Sequence, residues 1–163
     1  MKTKYYAGIG SRSTPPDILK KMTSIAHWLE SKGYVLRSGG AVGADKAFEA
    51  GTDTKEIFYA KDATEEAMNI AGKFHPAWSA CKSYIKQLHG RNVFQILGKD
   101  LDAPVDFVIC WTIDGAETDE ERSIMSGGTG TAISLASHKH IRVYNLEKES
   151  SIKELSTRLK EIK

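Results

Sequence analysis

With 163 residues, 40% of them hydrophobic and 27% charged, the chain has the length and composition of one globular domain with a real core. A net charge of +2 is too small by itself to imply a nucleic-acid partner, and two cysteines without paired Cys/His spacing exclude a zinc site or a disulfide framework. The apolar stretch behind Met1 to Tyr6 has only strand length, too short for a signal peptide or a membrane span, so no membrane association and a cytoplasmic location are expected.

Tyr5 to Ile9 reads as a strand stopped by Gly10. Thr14-Pro15-Pro16-Asp17 then offers an N-cap, a proline at the first helical position and an acid in the first turn. Ile18, Met22, Ile25, Ala26 and Leu29 follow at helical spacing toward Gly33. Tyr34-Val35-Leu36 is a short strand leading to the glycine turn Ser38-Gly39-Gly40-Ala41-Val42-Gly43, and a helix from about Gly43 to Ala50 closes at Gly51. Glu56 to Ala60 is a third strand. From Ala63 to Gly98 the pattern is helical, broken at Phe74 to Trp78, where Pro76 removes a hydrogen bond and clashes. Val105 to Trp111 is the most apolar run and reads as a central strand, with Cys110 as a small buried hydrophobe. An acid-rich loop follows (Asp114, Glu117, Asp119, Glu120, Glu121), then a second glycine turn, Ser126 to Thr131, opening a helix with Ile133, Leu135 and Ala136. Ile141 to Tyr144 is the last strand. Ser151-Ile152-Lys153-Glu154 reads as a capping box for a final helix that has Ile152, Leu155, Leu159 and Ile162 on one face.

Strands alternating with helices predict a single α/β domain over residues 1–163. It should be Rossmann-like and doubly wound, with a mainly parallel five-stranded sheet; right-handed crossovers give the order 3-2-1-4-5. Ligands bind such sheets at the carboxyl ends of the strands where the order reverses, here between the first strand and the Val105–Trp111 strand. That rule gathers Gly10, Ser11, Arg12, Trp111 and Thr112, with Ser38, Gly39, Gly40 and Asp45 alongside, and Gly127, Gly128, Thr129, Gly130 and Thr131 opposite. Glycine admits positive φ and close approach, and a helix start presents free N–H groups and a positive dipole end, which suits phosphate. Arg12 adds a planar charged fork and Ser11 a donor. The expected ligand is a small phosphorylated, nucleotide-derived molecule.

Other residues carry two readings each. Asp45 accepts from a ribose or base edge, or only steadies its helix's first turn. Arg91 reaches phosphate, or pairs with the acidic loop. His75, Pro76, Trp78 and Trp111 supply faces for a purine, or belong to an aromatic core. His75 and His89 read as structural, because no nucleophile–base spacing accompanies them. The acidic loop is a lid, a divalent-ion site through bridging phosphate, or a solvated turn. No catalytic residue, metal site or cofactor is assigned.

The pieces GIGSR (8–12), RSGGAVGADKAFEAG (37–51), HGRNVFQILG (89–98) and SGGTGTAISLA (126–136) are similar to the DprA/Smf–LOG superfamily, the SLOG fold. They look most like the small DprA-like proteins common in bacteriophage genomes. The resemblance implies a Rossmann-like domain that binds DNA, as in DprA, or nucleotides, as in several relatives. For a phage protein in the host cytoplasm it implies sequestration of a host immune signalling nucleotide such as an ADP-ribose derivative. The phosphoribohydrolase branch carries PGGxGTxxE; here Ser126 stands at the proline and Ser134 at the glutamate, so N-glycoside hydrolysis is not implied. Three functions follow in order: sensing or sequestering the ligand, hydrolysing its N-glycosidic or phosphate bond through Asp45 or an acid of the loop, and binding single-stranded DNA. A homo-oligomer is expected through exposed helix faces carrying Trp28, Phe74 and Trp78.

Overall fold

In the computed structural model, which describes residues 2–163, each strand is followed by helical structure. The elements are β1 (Lys4–Gly8), α1 (Pro16–Ser31), β2 (Tyr34–Ser38), α2 (Ala44–Ala50), β3 (Lys55–Ile57), α3 (Glu65–Gly72), α4 (Ser83–Leu97), β4 (Phe107–Cys110), α5 (Thr129–His138), β5 (Arg142–Asn145) and α6 (Glu149–Glu161). Single 3-10 turns cover Ala60–Asp62, Trp78–Ala80 and Ile124–Ser126. The sheet order is β3-β2-β1-β4-β5 and every pairing is parallel, as the βαβ pattern predicts.

Alternation along the strands sorts the core into two layers. Ala7, Ile9, Val108 and Cys110 face α3, α4 and α5. Tyr6, Phe107, Ile109 and Trp111 face α1, α2 and α6. The order reverses between β1 and β4, so the loops leaving those two strands diverge and open a crevice between them. The β1–β4 pairing runs past the strand end: Ile9 N–H donates to Ile109 O and Ser11 N–H to Trp111 O, each at 3.1 Å. Gly10 lies between them at φ +150°, where a Cβ would sit 2.9 Å from Trp111 O, so the chain turns there only with glycine.

Several local expectations give way to tertiary contacts. Helix α1 starts at Pro16 with Pro15 as its cap residue, because the Thr14 hydroxyl is donated to Ser11 O at 2.6 Å. Helix α6 starts at Glu149, and the Ser151 hydroxyl donates to Glu117 Oε2 (2.5 Å) instead of forming a capping box. The strand expected over Glu56–Ala60 is only Lys55–Ile57, an edge strand paired to β2 alone. The long helical stretch splits as expected around Pro76, with Thr64 capping α3 through Ala67 N–H.

Candidate functional site

A cleft of about 460 Å³ opens at the carboxyl end of β1, on the α4 side of the sheet. Its walls come from four segments: Gly10, Ser11 and Arg12 after β1; Ala41 and Asp45 around the start of α2; Leu88, Arg91, Asn92 and Gln95 on α4; and Gly128 and Thr129 at the start of α5. Seven of the residues expected from the sequence therefore meet here: Gly10, Ser11, Arg12, Asp45, Arg91, Gly128 and Thr129. Arg12 is exposed and makes no hydrogen bond or ion pair among the described residues.

Helix α4 ties the two glycine turns together. Arg91 Nη1 donates to Gly39 O (2.6 Å) and its Nε to Asn92 Oδ1 (3.0 Å), while Asn92 Nδ2 donates to Gly128 O (2.9 Å). Arg91 thus holds the first turn and leaves the acidic loop alone. The Ser38–Gly40 segment is scaffold behind that wall. Buried Glu49 accepts from Ser38 Oγ (2.8 Å) and Gly40 N–H (2.9 Å). Asp45 is 3% exposed and accepts from Ala41 N–H at 3.3 Å. Burial pushes its carboxyl up to about 6, against the opposing pull of Arg91.

The second turn is held from below by Asp114. Its carboxylate accepts from Thr112 Oγ1 (2.7 Å), Ser123 Oγ (2.7 Å), Ser126 Oγ (2.5 Å) and Ala116 N–H (3.2 Å). Burial alone would raise this carboxyl, but those bonds outweigh it and hold it at about 2. Gly127 takes φ +61°, whereas Gly128 has φ −61°, and a Cβ on either would meet nothing within 4 Å. The turn is therefore bare toward the cleft, and α5 begins beside it without a side-chain cap.

The remaining expected residues are placed elsewhere. Trp111 shares the parity of Phe107 and Ile109, so its ring lies on the opposite face of the sheet and its Nε1 donates to Glu147 Oε2 at 2.8 Å. Thr112 is buried between Asp114 and Asn145. Gly130 packs against Arg122, where a Cβ would sit 2.5 Å from Nε. Thr131 is buried with its hydroxyl 2.8 Å from His89 Nδ1, behind the turn.

A second compartment of about 680 Å³ adjoins the first, the two meeting at His89 and Gly128. Phe74, His75, Arg122, Ile124 and Gly127 line it. Arg122 donates to Phe74 O (2.5 Å) and Ser134 Oγ (3.1 Å), so a guanidinium stands against Ser134. His89 packs edge-on to His75 at 4.5 Å between ring centres, and burial, with the nearby His75 and arginine charges, lowers it to about 4. It is neutral near pH 7. Trp78 is half-buried against Gly72 and His89.

The acidic loop is a clamp rather than a solvated turn. Glu117 accepts from Asn145 N–H (2.8 Å) and pairs with Arg142 (3.5 Å) and Lys148 (3.3 Å), and Glu121 pairs with Lys148 (3.1 Å). Among the described residues no group of three or more His, Cys, Asp or Glu side chains is arranged to hold a metal ion. Gln95 and Arg122 were not singled out from the sequence. The spacing Leu88–Arg91–Gln95 on one helix face would have pointed to Gln95; nothing local marks Arg122.

No family model, curated protein or solved structure matches this chain. Among the described residues no helix is long and apolar enough to cross a membrane.

Proposed function

We propose that the protein binds a small phosphorylated, nucleotide-derived ligand in this cleft and holds it by sensing or sequestration. The observation that carries the reading is an unpaired Arg12 lining the same cleft as the bare Gly128–Thr129 helix start. An anion there gains a planar charged fork and free backbone N–H groups together. The sequence resemblance to phage DprA-like proteins supports a host immune nucleotide such as an ADP-ribose derivative as the thing sequestered. Thermal-shift measurements with AMP, ADP and ADP-ribose test the proposal, because a ligand at 100 times its Kd adds about 2.7 kcal/mol. Arg12→Ala should remove that gain while the ligand-free Tm stays unchanged, since the side chain is exposed and unpaired. A flat response to all three nucleotides overturns the proposal, and undiminished binding by Arg12→Ala overturns the phosphate position.

One observation favours a hydrolase as the second reading. Asp45 is a buried carboxyl in the cleft with a value near 6, the range in which a carboxyl exchanges protons at neutral pH. Chromatography of nucleotides incubated with the protein and Mg²⁺ separates the readings. Intact recovery supports the binder; turnover that disappears in Asp45→Asn supports the hydrolase.

A further inference from the structure

Gln95 is 2% exposed, yet its side-chain amide has no hydrogen-bond partner among the described residues. It lines the polar compartment, where it lies against Gly39 beside the Asp45 carboxyl and the Arg91 guanidinium. Among the described residues the Tyr6 hydroxyl is the buried polar side-chain atom without a partner, so the Gln95 amide is not sealed off: it keeps its opening to the cleft and is free to bond there. A ligand group that both donates and accepts would satisfy it. Carboxylate, amide and guanidinium together present acceptors and donors in alternation, which is the complement of neighbouring hydroxyls, each giving one hydrogen bond and receiving another. This end of the cleft has the chemistry of a sugar site.

The second compartment is of a different kind. Phe74, His75 and the 93%-exposed Ile124 give it apolar and aromatic surface, with Arg122 at its side. Its chemistry suits a flat heterocycle. Each compartment alone has the volume of an ordinary small-molecule site, about 300–1,000 Å³. They join at Gly128, the point to which the phosphate is assigned.

We propose that the two compartments hold one two-armed ligand, a nucleoside diphosphate joined to a second sugar. The base lies against Phe74 and His75, the diphosphate crosses Gly128, and the sugar hydroxyls bond to Asp45 and Gln95. This inference rests on the nucleotide reading above and extends it to a ligand class.

Calorimetric titration with ADP-ribose, UDP-glucose and GDP-mannose, beside AMP, UMP and GMP, tests it on wild type and Gln95→Met. Methionine keeps the unbranched shape and removes the amide. At least one of the diphosphate sugars should bind ten times or more tighter than its matching monophosphate. Gln95→Met should weaken that ligand about tenfold, the loss of one or two hydrogen bonds, and change the monophosphate less than twofold. The ligand-free variant should melt no lower than wild type, because the amide bonds to no other protein group and methionine keeps the packing of the side chain. Equal affinity for the two ligand classes, equal weakening of both by Gln95→Met, or a lower ligand-free Tm overturns the two-armed ligand and leaves nucleotide binding standing. Absence of binding by all six probes overturns the nucleotide reading as well.

Discussion

Gly127 and Gly128 are neighbours in sequence with opposite physical roles, and substituting each separates the fold from the site. Gly128 has φ −61°, an ordinary value for any residue, and a Cβ there meets nothing within 4 Å. Gly128→Val should leave the ligand-free fold within about 0.5 kcal/mol of wild type, as for other surface changes away from special features. Removing a glycine also restricts the unfolded chain, which adds roughly 0.4–1 kcal/mol of stability. At about 2–4 °C per kcal/mol for a domain of this size, Tm should hold or rise by a few degrees. The valine methyls nevertheless fill the bare surface over which a phosphate approaches the start of α5. Loss of one or two charge-assisted bonds, about 1.5–3 kcal/mol each, weakens binding at least tenfold. Gly127 is the reverse case. At φ +61° and ψ −149°, a region essentially confined to glycine, an alanine costs roughly 1–3 kcal/mol, so Gly127→Ala should melt about 2–12 °C lower. Scanning fluorimetry of the ligand-free variants and calorimetry with ADP-ribose read both effects. Gly128→Val that binds within twofold of wild type refutes the placement of the phosphate. A fall in its ligand-free Tm equal to that of Gly127→Ala refutes the open space above Gly128.

Asp114→Asn should cost about 2 kcal/mol and lower Tm by about 4–8 °C, because one carboxylate satisfies three hydroxyls and an N–H that hold the second glycine turn; an unchanged Tm counts against that role. Since the Asp114 value is depressed to about 2, its contribution is present above the ordinary carboxylate range and is lost as pH falls through about 2. Asp45 and His89 should shape the stability profile at mildly acid pH with opposite signs. Asp45, raised to about 6, holds a proton in the folded state that the unfolded chain has released, so its contribution to stability falls as pH rises from about 4 to about 6. His89, lowered to about 4, is neutral when folded and protonated when unfolded, so its contribution rises with pH between about 4 and 6.5. Denaturant titrations between pH 4 and 7 should therefore show a shallow slope for wild type and a clear gain of stability with pH for Asp45→Asn. Parallel profiles for the two proteins would contradict the assigned protonation state of Asp45.

Much of the architecture is written in short-range pattern. Apolar alternation in Tyr5–Ile9 and Val105–Trp111, glycine after strands, and right-handed crossover connections are enough for the sheet order and for the crevice between β1 and β4. The same parity, carried one residue further, places Trp111 with Phe107 and Ile109 on the far face, away from the cleft. Other placements have no local signature. Ser151 has the spacing of a capping box, but Glu117, 34 residues earlier, takes its hydroxyl. Arg91 reaches back 52 residues to Gly39, and Arg122 reaches 48 residues to Phe74. In the sequence the acidic loop reads as a lid, an ion site or a solvated turn, and only the folded chain brings Arg142, Lys148 and Ser151 to it. Periodicity, turn chemistry and backbone freedom depend on chain neighbours, so they are present in the string of residues. Whether a polar side chain finds partners within the protein, as Asp114 does, or is left facing a cleft, as Gln95 is, depends on atoms that only folding brings within about 3 Å.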